Sequence, residues 1–458
     1  MNPLRLALGL ALAGTLSGIF STSAEARLLA GIGEVDITPE PDVPLAGPVG
    51  GGGRATKVFD PLHARAVALQ SGDTRIVICV ADITIIASDL HDRIRTLVHE
   101  QTGLPKNHLL VSATHTHRSP RAMALDLGPA HERYKNSLVE KIAEAVRHSL
   151  TKLEPAKIGW ASVDKPEFCR NRRWLMKPGT LGPNPFGERT DQAAMYGGPG
   201  RNAIRPTGPI DPELFVVSVQ RTNGSQLAVL ANYSVHYGAG GGGVSADYFG
   251  HFSREVTAKL FTKDRPMVAL MSNGTSGNIA PTGNPPKAGA ELAAAAAQLI
   301  SQMKHRDTAP ITIRASEIPI EVRRPDKDRL VWARAVLAGK GKKPAHKWQG
   351  KYAHSALWLS RYPAKVPVRL QAIRIGDLAI AAMSNEVYAE TGLAIKAASP
   401  FADTFTISLA NGYNGYLPTP EQHALGGYTT WPAVSSPLAT NAEPQLRAGV
   451  IGLLNALK

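Results

Sequence analysis

The chain has 458 residues, with 51 Lys plus Arg against 37 Asp plus Glu and a formal net charge of +14 with His neutral. Hydrophobic residues at 43% and charged residues at 19% exclude a disordered polyelectrolyte and a polytopic membrane protein. Two cysteines exclude a disulfide-stapled scaffold and a zinc module held by four cysteines.

Arg5, the apolar run Leu6 to Phe20 and Ala24-Glu25-Ala26 have the layout of a secretory signal. Residues 1–26 are therefore expected to be a cleaved signal peptide, and residues 27–458 one exported domain. No later stretch reaches the length of a membrane span. Residues 63–70 and 75–83 read as strands joined at Ser71-Gly72-Asp73, a hairpin signal. Residues 88–101 have helical apolar spacing, 108–113 form a short strand, and 130–150 a long amphipathic helix. Residues 177–212 are rich in Gly and Pro, including Gly197-Gly198-Pro199-Gly200, and read as a long functional or disordered loop.

Residues 214–221 and 226–232 flank Asn223-Gly224, a second hairpin signal. The run 238–243 is almost all glycine. Residues 250–261 read as a helix, 267–272 as a strand and 288–303 as an Ala-rich helix. Strands follow at 311–322 and 368–383, the latter turning at Gly376-Asp377, then a helix at 387–397 and a strand at 404–409. The pattern predicts an α/β fold of mixed β-sheets with flanking helices. Residues 322–367 read as an accessory insertion of helices and basic loops. It holds much of the charge excess, including Lys340-Gly341-Lys342-Lys343. That charge fits either a solvated face or peripheral contact with anionic surfaces. No nucleic-acid module accompanies it, so nucleic acid is not an expected partner. Cys79 in an apolar run reads as a buried thiol, with pairing to Cys169 left open.

Five constellations stand after strands. In Thr114-His115-Thr116-His117, a continued strand would put both imidazoles on one face. Such a pair suits a metal or a proton relay, or is simply two satisfied histidines. Asn232-Tyr233-Ser234-Val235-His236 offers a third imidazole, or a core histidine. Asn273 to Pro281 is a small-residue loop whose amides suit an oxyanion, or a plain turn. Ser384-Asn385-Glu386 reads as a carboxylate near a helix N-terminus. Asn411 to Thr419, with Tyr413 and Tyr416, precedes Gly426-Gly427-Tyr428; tyrosines in such loops usually cover a core edge.

Taken in order, these segments resemble the catalytic domain of the neutral/alkaline non-lysosomal ceramidases. Residues 30–39 (AGIGEVDITP), 60–66 (DPLHARA), 112–117 (SATHTH) and 245–248 (SADY) are similar to that family's motifs. The resemblance runs from about Ala30 to Tyr428. It implies a zinc held by His115, His236, Glu386 and Tyr416, with His117, Arg172 and Tyr428 as catalytic partners. It also implies hydrolysis of an amide (N-acyl) bond, in a small-molecule or lipid substrate, by a metal-activated water. His117 would move protons, and Arg172, Tyr428 and the amides of Gly277 and Asn278 would meet the oxyanion. The sequence departs from the family at Ala280, which takes the position of an active-site serine. It also ends at Lys458, too soon for the β-sandwich domain of the longer members. The alternatives are a zinc hydrolase of an ester or glycan-linked group, and a relative that binds a ligand without catalysis.

Overall fold

Alternation along residues 74–81 sets the layering of the fold. Ile76, Ile78 and Val80 face one apolar core, while Val77, Cys79 and Ala81 face another, as the two-residue period of a strand buried on both sides requires. A computed structural model describes residues 26–47, 51–123, 127–195, 200–238, 242–263, 265–339 and 344–458. The expected signal peptide, apart from Ala26, lies outside the described residues. So do Gly197-Gly198-Pro199, residues 239–241 and Lys340-Gly341-Lys342-Lys343.

In chain order the first elements are β1 (Leu28–Asp36), β2 (His63–Ser71), β3 (Thr74–Ala81), α1 (Ser88–Thr102), β4 (Leu109–Ala113), α2 (Pro129–Thr151) and β5 (Glu154–Asp164). Short strands follow: β6 (Cys169–Asn171), β7 (Trp174–Met176), β8 (Ala193–Ala194) and β9 (Ala203–Pro206). The middle comprises β10 (Glu213–Arg221), β11 (Gln226–Tyr233), α3 (Asp247–Leu260), β12 (Val268–Asn273), β13 (Ile279–Pro281) and α4 (Pro285–Gln302). Next come β14 (Ile311–Glu321), α5 (Lys327–Leu337), α6 (Gln349–Leu359), β15 (Lys365–Ile375), β16 (Leu378–Met383) and β17 (Glu386–Val387). The chain closes with α7 (Ala389–Ala398), β18 (Asp403–Ile407), β19 (Tyr416–Leu417), α8 (Pro420–Ala424) and α9 (Ala442–Asn455).

An eight-stranded sheet runs β12-β11-β10-β5-β1-β2-β3-β4, and a four-stranded sheet runs β14-β15-β16-β18. Their facing sides share one core, with Ile76, Ile158 and Phe215 from the large sheet against Ile313, Ile380 and Phe405 from the small one. The outer face of the large sheet is covered by α1 and α2 at one end and by α3 and α4 at the other. The outer face of the small sheet is covered by α9, with Ile395 of α7 joining that core. The result is a helix–sheet–sheet–helix stack. The sheets are mixed, as expected: β3–β4, β11–β12 and β16–β18 are parallel pairs among antiparallel ones.

The hairpins at Gly72, Asn223-Gly224 and Gly376-Asp377 form where the turn residues place them. Residues 177–212 differ from expectation. Instead of a structureless loop, this segment adds β8 and β9 to β7 as a small sheet. The insertion 322–367 is a helical hairpin, α5 and α6, packed through Ala333, Ala353 and Ala356. Cys79 and Cys169 are both buried free thiols on separate sheets, so the bridge left open by the sequence does not form. Among the described residues, no helix is long and apolar enough to cross a membrane.

Candidate metal centre

Every candidate segment leaves the C-terminal end of a strand: His115 after β4, His236 after β11, the 274–278 loop after β12, Glu386 after β16 and Tyr416 after β18. Backbone hydrogen bonds tie these ends together. Ala113 N–H donates to Leu409 (3.2 Å), Ser408 to Asn273 (3.0 Å) and Gly274 to Tyr233 (3.0 Å). The strand ends of the two sheets therefore meet at one buried place.

The strand expected to carry both histidines stops at Ala113. His115 has φ 69°, a left-handed conformation uncommon outside glycine. Period-two alternation is thus not what aligns the two imidazoles; the turn at His115 does it. Their ring centroids lie 4.6 Å apart, edge to face. His115 Nδ1 is 2.7 Å from the Thr84 carbonyl, and His117 Nδ1 is 2.7 Å from the Gly47 carbonyl. A carbonyl only accepts, so each Nδ1 carries a proton and each ring turns its Nε2 towards the other. The two Nε2 atoms are 3.1 Å apart. Glu386 Oε2 lies 3.2 Å from His115 Nε2. His236 closes the group, its ring 4.4 Å from that of His115. One ligand atom from each of His115, His117 and His236 falls within 4.8 Å of the others.

Glu386 stands just ahead of α7, near its N-terminus as expected, but outside its first turn, where the carboxylate is Glu390. Glu386 instead belongs to β17, which pairs in parallel with β19 and sets Glu386 opposite Tyr416. Burial alone would raise its carboxyl, but His115, Tyr416 and Tyr413 outweigh burial and hold it below the ordinary value. Tyr413 Oη donates to Glu386 Oε1 at 2.8 Å. Burial first, then the charge of Glu386, pushes the Tyr416 hydroxyl well above its usual range. Arg172 opposes that shift without reversing it. Tyr416 is therefore a phenol here, and its phenolate requires a stronger cation than Arg172.

Arg172 Nη2 donates to the Gly277 carbonyl (2.8 Å) and to Tyr416 Oη (3.3 Å). Its Nε–H is buried and has no partner among the described residues. Tyr428 packs with its ring 5.9 Å from that of Tyr416. Burial, then Glu386, pushes its hydroxyl up to about 12. Tyr428 is held by Arg173, which is fully buried and donates to the carbonyls of Tyr428 (2.9 Å) and Gly426 (2.7 Å). The far side of Tyr428 meets an aromatic cluster that includes Trp348 and Tyr352 of the α5–α6 region and Trp431.

One expected oxyanion donor is already committed. The Gly277 amide donates to the Val387 carbonyl at 2.8 Å. Glycine is needed there for space, since a Cβ would sit 2.6 Å from the Glu386 carbonyl. Ala280 lies in β13, paired with Arg170 of β6.

Tyr237 was not singled out from sequence, and Tyr413 was noted there without a role at the site. Tyr237 stacks on His117 at 3.7 Å with 14° between the planes. Tyr413 repeats Tyr416 at three residues within Asn411-Gly412-Tyr413-Asn414-Gly415-Tyr416, and Tyr237 directly follows His236. Those local repeats were the available signals.

No protein-family model matches the sequence, and no curated protein matches it. Solved structures do. Neutral ceramidase from Pseudomonas aeruginosa superposes with a TM-score of 0.68 at 17% identity, covering 95% of this chain and 75% of that one. A structure described as a ceramidase complexed with C2 gives a TM-score of 0.68 at 16% identity, over 94% and 75%. The chain therefore has a neutral-ceramidase-like fold.

Proposed function

We propose that the chain is an exported, zinc-dependent hydrolase that cleaves an amide (N-acyl) bond in a small-molecule or lipid substrate. The observation that carries this proposal is the convergence of metal-ligand atoms: one from each of His115, His117 and His236 within 4.8 Å of the others, with Glu386 Oε2 3.2 Å from His115 Nε2. Lone pairs so placed repel unless a cation or a shared proton lies between them. Imidazole and carboxylate are ordinary zinc ligands. Zinc held by His115, His236, Glu386 and Tyr416 would supply Lewis-acid polarisation of the scissile carbonyl and of an attacking water.

The chain's own residues do the rest. His117 is the least buried of the three histidines. Burial, then His115, lowers it well below its ordinary value, so it is neutral near pH 7. A neutral ring with its Nδ1–H fixed by Gly47 accepts a proton at Nε2 and can return it to the leaving amine. Tyr237 stacked on that ring limits its rotation. Arg172 Nε–H and the Tyr428 hydroxyl, still a phenol at neutral pH, are donors for the oxygen that gains charge. None of these steps needs a serine, so Ala280 removes no group that they require.

The test is hydrolysis of a panel of N-acyl sphingoid, N-acyl amino acid and ester substrates by zinc-loaded and chelator-stripped protein. Zinc-dependent release of an amine is expected. Zinc-dependent turnover of esters alone would shift the bond class. Full zinc loading with no turnover would favour the non-catalytic relative, the reading to which Ala280 lends weight.

A further inference from the structure

Val58 and Phe59 are 50% and 54% exposed, and among the described residues they are the one consecutive pair of exposed large apolar side chains. The corner that carries them is not loose. Val244 N–H donates to the Lys57 carbonyl at 2.7 Å, and Phe59 N–H to the Val244 carbonyl at 2.9 Å. Ser245 N–H donates in turn to the Arg118 carbonyl at 3.1 Å, which ties the corner to the residue after His117. Two cations flank the exposed ring: Arg118 at 4.3 Å and Lys57 at 4.5 Å from its centroid. Arg118 is held in place by the carbonyls of Gly242 and Gly243, at 3.1 Å each. Gly243 has φ 92°, and a Cβ there would meet the Phe59 ring at 2.5 Å. Among the described residues, neither Lys57 nor Arg118 pairs with a carboxylate.

A rigid corner that keeps an aromatic and a β-branched side chain in water, between two cations without anionic partners, matches the chemistry of a lipid headgroup region. Apolar tips enter the acyl boundary while Lys and Arg meet the phosphates. We propose that the Lys57–Phe59 corner, backed by Arg118, is a membrane-contact point that seats this side of the molecule, next to His117, on an anionic lipid surface. The proposal goes beyond the hydrolase assignment, and its test does not use activity.

The experiment is co-sedimentation of the purified protein with sucrose-loaded vesicles of phosphatidylglycerol or of phosphatidylcholine, at low and high salt. Salt-sensitive binding to phosphatidylglycerol, at least about tenfold stronger than to phosphatidylcholine, is expected. Lys57→Glu should weaken it by about tenfold or more, and Val58→Ser with Phe59→Ser by a similar factor, with unchanged thermal midpoints. Val58→Trp supplies an independent readout, with fluorescence quenched by brominated phosphatidylglycerol. Wild-type protein that stays in the supernatant would overturn the proposal. So would variants that bind like wild type, Val58→Trp fluorescence untouched by brominated lipid, or binding lost only on substituting Trp358 of α6, which is also exposed.

Discussion

The candidate site has two unlike halves. The half built on the large sheet presents three imidazoles, two of them oriented through Nδ1 by backbone carbonyls. The half built from β17, β19 and the loops beyond β18 presents one carboxylate among phenols, with Arg172 bridging the two. The first half supplies imidazole nitrogens; the second brings the negative charge that a divalent ion requires. The three histidines of the first half could hold a metal by themselves; the proposed zinc site adds the carboxylate half and so joins strand ends of two sheets.

Removing a member of either half should have the largest effect. His115→Ala and Glu386→Ala should each weaken zinc binding by more than about 100-fold, beyond the range usual for outer-shell changes. Equilibrium dialysis against a competing chelator would measure this. If only the histidine half mattered, Glu386→Ala would bind normally and the comparison would break. Tyr413→Phe should cost less, about 10- to 100-fold in zinc affinity, because Glu386 Oε1 loses its donor while the ligand remains. Gly277→Ala should act through packing and lower unfolding stability by about 1–3 kcal/mol in urea denaturation.

The scaffold behind the second half has its own pH dependence. His91 is buried against Arg369, and burial, then Arg369 and Arg95, lowers it to about 3. A histidine with a depressed folded pKa is protonated more readily in the unfolded chain. Its contribution to stability is therefore whole above about pH 6.5 and is lost as the pH falls from there towards 3, at up to about 1.4 kcal/mol per pH unit. Urea titrations at pH 7 and pH 5 should show that loss, and His91→Gln should flatten it. The smallest effect concerns the thiols. Burial pushes Cys79 up to about 12 and Cys169 to about 11, so neither should react with a disulfide reagent in the native state at pH 8.

The two halves were unequally legible in the sequence. The histidine half is written in local terms: an apolar strand, then His-x-His, and a second strand ending in His236. The strands, helices and hairpins around it follow period and turn chemistry. The carboxylate half depends on β17 and β19, two residues each, whose pairing of Glu386 with Tyr416 has no periodic signature. Both positions stood out in the sequence, but only the family resemblance joined them in one site. β1, β5 and α9 escaped pattern reading of the sequence as well. Tyr413 was seen but not weighed, because its role appears only when Glu386 comes within reach. The aim of His115 depends on a left-handed residue that strand periodicity does not predict.

The most direct test is X-ray absorption at the zinc edge on protein reconstituted with one equivalent of zinc, compared with His115→Ala. A first shell of nitrogen and oxygen with imidazole back-scattering, present in the wild type and absent in the variant, is predicted. Protein that takes up no zinc, or a zinc spectrum identical in both, would contradict the meeting of the two halves around one ion.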